Sequence, residues 1–165
     1  MLIKLIDETS ATPAAQKIQL LRWAIFQVLI GNTDAHGKNI SFFCSNEGLE
    51  IAPAYDLTCG LAFRSERLDD TLAMAIGDAF KVEDITTFEW VNFAHQCGLP
   101  KRLVSRTLKD MAITMTKEIG PVMRECLAEG ADVAHLEVIS NIVLSESDRQ
   151  LAMADEIIRV SEDLL

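Results

Sequence analysis

The sequence predicts a mainly α protein with one small antiparallel β-hairpin in its first half. Three observations predict it. Apolar residues recur at helical spacing from Ile18 to Leu29 and again through the second half of the chain. Helix-capping residues and glycines punctuate those stretches. Between them, two short apolar runs flank the turn Ser45-Asn46-Glu47-Gly48.

Taken in order, the first ten residues carry mixed charges and no strong period. Thr12-Pro13 starts a helix, because proline at the first helical position sacrifices an N–H that has no intrahelical partner there. Ile18, Leu21, Ile25, Val28 and Leu29 give that helix one buried face running to about Ile30, and Gly31 is placed to stop it. Asn32 to Asn39 is a polar loop. Residues 40–44 and 49–52 read as the two strands, and Pro53 ends the hairpin. Residues 58–85 read as a long irregular segment with little regular structure.

Beyond it the chain reads as helical. Thr86 and Glu89 have capping-box spacing, and Gly98 closes that helix. Pro100 opens the next, with Leu103, Thr107, Met111, Thr114 and Met115 on one face, and Gly120-Pro121 is expected to break or kink it. Asp132 caps a further helix carrying Leu136, Ile139 and Val143. A final stretch from about Ser147 carries Leu151, Ala154, Ile158 and Leu165. Trp23, Trp90 and the methionines are expected in the core. One domain spanning residues 1–165 is the expected organisation.

About half of the 165 residues are apolar, which argues against disorder. The formal charge is −10, from 25 acids and 15 bases, so counterion release on nucleic acid gives this chain nothing unless a local basic patch intervenes. No direct nucleic-acid partner is expected. Cys44, Cys59, Cys97 and Cys126 lie far apart and form no C-x-x-C pair, as in a reduced, cytoplasmic protein. No secretion signal opens the chain, and the longest apolar run, Trp23 to Ile30, is short and interrupted by Gln27, so no membrane partner is expected.

The chemistry concentrates in Gly31-Asn32-Thr33-Asp34-Ala35-His36-Gly37-Lys38-Asn39, with Asp56 lying 22 residues beyond Asp34, after the hairpin. Phosphoryl transfer needs a carboxylate to take the proton of the acceptor hydroxyl. It also needs hard oxygen ligands for Mg²⁺, typically carboxylates plus an amide oxygen. A tight loop can supply a base and an amide ligand, and a hairpin can return the chain so that a second carboxylate meets the same ion. Asp34, Asn39 and Asp56 suit those jobs by type and order.

Asp-x-His-x-x-Asn, a short hairpin and then Asp resembles the catalytic loop of protein kinase-like enzymes. The flanks Ile30 to Asn39 and Ala52-Pro53-Ala54-Tyr55-Asp56-Leu57 resemble the HipA family, the kinase toxins of bacterial toxin–antitoxin pairs. Leu72-Ala73-Met74-Ala75-Ile76-Gly77 and the helical tail are similar to that family too. The resemblance implies the helical C-terminal lobe of a protein kinase-like fold, and a serine/threonine kinase activity. It implies Asp34 as catalytic base, with Asn39 and Asp56 as Mg²⁺ ligands. His36 would orient Asp34 or touch phosphate, and Lys38 would stabilise charge on the transferred group. Tyr55, counted with the cofactor-binding residues, is expected to pack beside the metal-binding turn. His95 and His135 read as structural or surface residues.

The resemblance further implies ATP and Mg²⁺, a HipB-like helix-turn-helix antitoxin as partner, and protein substrates in translation such as aminoacyl-tRNA synthetases. A kinase also needs a glycine-rich loop and a strand lysine upstream of the catalytic loop. Only 33 residues precede Asp34, with no glycine before Gly31 and no strand context for Lys4 or Lys17. The expectation is that the ATP-cradling N-terminal lobe is missing from these residues, as in a piece of a longer kinase, a split gene product that needs a separate N-terminal subunit, or a relic, and that the chain alone has little or no kinase activity. The alternatives are a non-catalytic helical interaction module derived from a truncated kinase, and a metal-dependent hydrolase using Asp34, His36 and Asp56.

Overall fold

A computed structural model describes residues 2–63 and 70–161. Helix α1 (Leu2–Thr9) and helix α2 (Pro13–Leu29) lead into the loop. Strands β1 (Phe42–Ser45) and β2 (Gly48–Ile51) form an antiparallel hairpin with Phe42 opposite Ile51 and Ser45 opposite Gly48. A second antiparallel hairpin follows, β3 (Thr71–Ile76) and β4 (Ala79–Lys81). Helices α3 (Thr87–Gln96), α4 (Lys101–Ala128) and α5 (Val133–Ala154) complete the described chain. The mainly α expectation and the hairpin after the loop both hold.

The core forms where α2, the β3–β4 hairpin, α3 and the first half of α4 meet the end of α5. Leu21, Ile25, Leu29, Trp90, Leu108 and Ile157 are among its fully buried members. Burying a side chain of that size contributes roughly 1.5–3 kcal/mol. Trp90 also donates its indole N–H to Gln150 Oε1 (2.8 Å), which pins α5 against α3 without leaving either polar atom unpaired.

Several expectations are corrected. The opening residues do form a helix, with Ile6 buried against α2; one anchor is too little to show as a period. Residues 58–85 hold β3 and β4, a 3₁₀ turn at Gly60–Phe63 and another at Val82–Asp84. Residues 64–69 of that segment lie outside the described residues. Helix α4 runs unbroken through Gly120-Pro121. Beyond Ala112 it buries no residue, so water can serve the carbonyl that Pro121 leaves without a donor. Its buried face is Val104, Ser105, Leu108 and Ala112, offset from the expected Leu103-Thr107-Met111 line, whose members are half-buried.

The stretches on either side of Ser147 are one helix, and Leu165 lies outside the described residues. Asp132 caps α5 as expected, accepting His135 N–H (2.8 Å). Thr86 caps α3, but Glu89 does not reciprocate: its carboxylate accepts the Asp78 amide of the β3–β4 turn at 2.6 Å. Trp90 is core, whereas Trp23 and Met111 are half-buried and Met74 is exposed; polarisable, flexible methionines suit such a periphery.

Candidate functional site

Helix α2 ends in a glycine cap that aims the loop. Gly31, at φ +63°, donates to Val28 O (3.1 Å), and Asn32 N–H donates to Gln27 O (2.9 Å). This paired reversal satisfies the last carbonyls and turns the chain sharply. A Cβ at Gly31 would also meet Leu61 Cδ1 at 2.8 Å. Asn32 is therefore delivered into the interior, 1% exposed, beside Gln27 at 4%.

From there the sequence-predicted residues come together. Asp34 N–H donates to Asn32 Oδ1 (3.0 Å). His36 N–H donates to Asn39 Oδ1 (3.0 Å), while Asn39 N–H returns to His36 O (2.9 Å) across the 3₁₀ turn Gly37–Asn39. Asn39 Nδ2 donates to Asp56 Oδ2 (2.5 Å), and Asn32 Nδ2 donates to Asp56 O (3.3 Å). The hairpin thus returns Asp56 to the loop, as the spacing required. Asp56 takes φ +56°, the left-handed region that costs an ordinary L-residue about 1–2 kcal/mol and that aspartate tolerates best among charged residues. Two side-chain amides hold it there.

The surrounding residues differ in what they offer. The Asp34 side chain is 77% exposed, open to an incoming acceptor. His36 Nε2 stands 4.0 Å from Asp34 Oδ1, beyond hydrogen-bond range, and His36 Nδ1 is buried with no partner among the described residues. Lys38 is exposed, and its carbonyl accepts the Tyr55 hydroxyl. Ser41 Oγ lies 3.0 Å from the same hydroxyl. Tyr55 therefore stitches the turn after the hairpin to the loop, so its hydroxyl is already engaged.

Sequence reasoning missed Asn32, Gln27 and Thr58 as members of the site. Thr58 Oγ1 donates to Asn32 Oδ1 (3.3 Å). Gln27 was visible only as a polar interruption of an apolar run. The segment read as irregular also buttresses the loop: Leu61 N–H donates to Gly31 O (3.1 Å) and Ala73 N–H to Thr33 O (3.0 Å). Gly60 lies so close that a Cβ there would stand 2.2 Å from Thr33 Oγ1.

The donor set suits a hard divalent cation. Asp56 contributes a carboxylate, and the adjoining Asn39 Oδ1 keeps a second lone pair beside its bond to His36 N–H. Among the described residues no three His, Cys, Asp or Glu side chains converge as a metal cluster, so an ion here would take an amide oxygen and ligands from outside this set. A groove of about 830 Å³ runs between α1, α2 and α3, but of the loop it is lined by Gly37 and by none of Asp34, His36, Asn39 or Asp56. Asp34, Lys38 and Asp56 sit on an open face, whereas His36 is half-buried and Asn39 is buried beneath it. Among the described residues no helix is long and apolar enough to cross a membrane.

Residues 1–119 match the HipA-like C-terminal domain family. The chain belongs to that family. The serine/threonine-protein kinase toxin HipA of Shewanella oneidensis is 35% identical over 149 residues, covering 88% of this chain and 33% of that protein. The protein Y4mE of Sinorhizobium fredii is 32% identical over 122 residues, covering 74% of this chain and 29% of that one. In a solved complex of Shewanella oneidensis HipA, HipB and operator DNA, one chain superposes with a TM-score of 0.84 at 31% identity, over 97% of this chain and 37% of that one. This HipA-type C-terminal region thus spans about a third of the length of the relatives it matches.

Proposed function

We propose that this chain is the part of a HipA-type serine/threonine kinase that holds the phosphate acceptor and the nucleotide-bound metal, with the ATP cradle contributed from outside these residues. The observation that carries the reading is the hydrogen-bonded circuit from Asp34 through Asn32 to Asp56 and back through Asn39 to His36. It unites a candidate base and two candidate metal ligands of the right chemistry in the right chain order.

In this reading the exposed Asp34 carboxylate accepts the proton of a serine or threonine hydroxyl on a protein substrate as its oxygen attacks the γ-phosphorus and the bond to the ADP oxygen breaks. Asn39 and Asp56 would hold Mg²⁺, which would supply positive charge to offset that of the phosphates. His36, 4.0 Å from the Asp34 carboxylate, orients it or touches phosphate. Lys38, exposed on the loop, would stabilise charge on the transferred phosphoryl group. Tyr55 supports the Asp56 turn from behind. The kinship with a HipA solved together with HipB and operator DNA supports a HipB-like antitoxin as partner.

The test combines this chain with a HipA-type N-terminal region and follows phosphate transfer from ATP to protein. Asp34→Asn is expected to lower transfer by about 100-fold or more at unchanged melting temperature. Asp56→Ala is expected to abolish Mg²⁺-dependent nucleotide binding. Undiminished transfer by Asp34→Asn removes the base assignment. A combined assembly that never transfers phosphate leaves the interaction-module reading in its place.

A further inference from the structure

The side chain that does most to organise the loop is one to which the catalytic scheme gives no task. Asn32 is 1% exposed and uses its whole amide. Its Nδ2 donates to Gln27 Oε1 (2.8 Å) and to Asp56 O (3.3 Å), while its Oδ1 accepts from Asp34 N–H (3.0 Å) and Thr58 Oγ1 (3.3 Å). Two donors and two acceptors are the full capacity of an amide. The four partners lie on three separate stretches: α2, the loop, and the turn after the hairpin.

We propose that Asn32 is a positioning residue that sets the distance between Asp34 and Asp56, using Gln27 on the core helix α2 as its fixed reference. The inference rests on the kinase reading of the site and adds a device to it. The reference is rigid for a stated reason. Gln27 sits between the buried residues Ile25 and Val28, and it grips Asn32 twice, through its backbone carbonyl (2.9 Å) and through its side chain (2.8 Å). The controlled end is strained. Asp56 sits at φ +56°, and its carbonyl bond to Asn32 is one of two side-chain contacts holding that conformation. A surface asparagine in a turn would satisfy its own neighbours and water. This one is buried, and it reaches 24 residues along the chain to the candidate metal ligand.

Asn32→Asp separates positioning from simple stability. Aspartate keeps both acceptors, so Asp34 N–H and Thr58 remain bonded. It loses both donations, to Asp56 O and to Gln27. Gln27 has a ready answer, because its Nε2 is buried without a partner among the described residues and can donate once the amide turns over. The tether to Asp56 is lost, and a carboxylate oxygen faces the Asp56 carbonyl in its place. The substitution also adds a negative charge beside the candidate ion, so electrostatics alone predicts equal or tighter cation binding.

Two readouts on the 165-residue chain decide it. Without metal, ¹⁵N relaxation is expected to show Asp56 and Leu57 more mobile in Asn32→Asp than in the wild type, with Asp34 unchanged. With Mn²⁺ as the probe, paramagnetic broadening of the Asn39 and Asp56 amides is expected to need about 10-fold or more Mn²⁺ in the variant, despite its extra negative charge. Unchanged mobility at Asp56, or Mn²⁺ binding as tight as in the wild type, overturns the proposal. Wild-type chain whose Asn39 and Asp56 amides ignore Mn²⁺ removes the metal-site reading itself, and the metal-free measurement then still decides whether Asn32 tethers Asp56. Should Asn32→Asp fail to fold, Gln27→Leu, which removes the side-chain acceptor of Asn32 Nδ2, is measured the same way; it is expected to loosen Asp56, and unchanged mobility there overturns the assignment.

Discussion

Hairpin β1–β2 lies on the surface, with Phe43 62% exposed and Cys44 and Ser45 exposed beside it; hairpin β3–β4 buries Leu72, Ile76 and Ala79 in the main core. The first is attached to the body by polar side chains of α2: Gln16 Oε1 accepts Ile51 N–H (2.8 Å) and Gln19 Nε2 donates to Ile51 O (3.3 Å). The second is attached by apolar packing, and it supports the loop through Ala73 N–H to Thr33 O. One hairpin is a spacer that brings Asp56 back to Asn39. The other is a wall against which the loop rests. Two elements of similar size can thus position one site by different physics, and they should fail differently when altered.

The largest expected effect is on the wall. Leu72→Ala should destabilise the fold by about 2–5 kcal/mol, because a buried methyl-bearing side chain leaves a cavity; the urea midpoint of the purified chain measures it. Next is the seam between wall and loop. Gly60→Ala puts a methyl 2.2 Å from Thr33 Oγ1 and should cost about 1–3 kcal/mol, with shifts in the Thr33 and Asp34 amide resonances as its signature.

Thiol chemistry gives a smaller, rate-based contrast. Burial pushes the Cys59 thiol above its ordinary pKa, more than the Ala62 amide bond pulls it down, whereas Cys44 is exposed on β1. Iodoacetamide at pH 8 should therefore label Cys44 well before Cys59, with peptide mass spectrometry reading each site. The same shift favours the folded state at pH below the unfolded thiol pKa, and that contribution falls as pH rises through the folded value. The smallest effect belongs to the spacer. Phe43→Ala should change stability by no more than about 0.5 kcal/mol, and a loss like that of Leu72→Ala would erase the distinction between the hairpins.

The legibility of the two hairpins in the sequence differs for a related reason. β1–β2 was readable because a polar turn separates two short apolar runs, a local signal. β3 carries a register irregularity between Thr71 and Ile76, and Leu72 to Ile76 are all apolar with the in-phase Met74 exposed, so neither sequence nor burial shows the alternation that marks a strand. Glu89 shows the same limit. Its spacing from Thr86 is that of a capping box, yet a backbone N–H on another element, Asp78, takes its carboxylate. In the site, Asp34, His36 and Asn39 were legible because they fall within six residues, and Asp56 because a hairpin with a local turn signal separates it from them. Gln27 and Thr58 were not, because nothing in one dimension pairs residue 27 with 32, or 32 with 58.

The order of loop, hairpin and carboxylate, and the helical remainder, could be read from the chain alone, since capping, turn chemistry and apolar period act over a few residues. Which polar groups are buried, and which backbone atoms they hold, was decided only when α2, the loop and the two hairpins packed together. Hydrogen bonds between residues 24 apart exist only once hydrophobic burial has set the distances at which donors and acceptors meet.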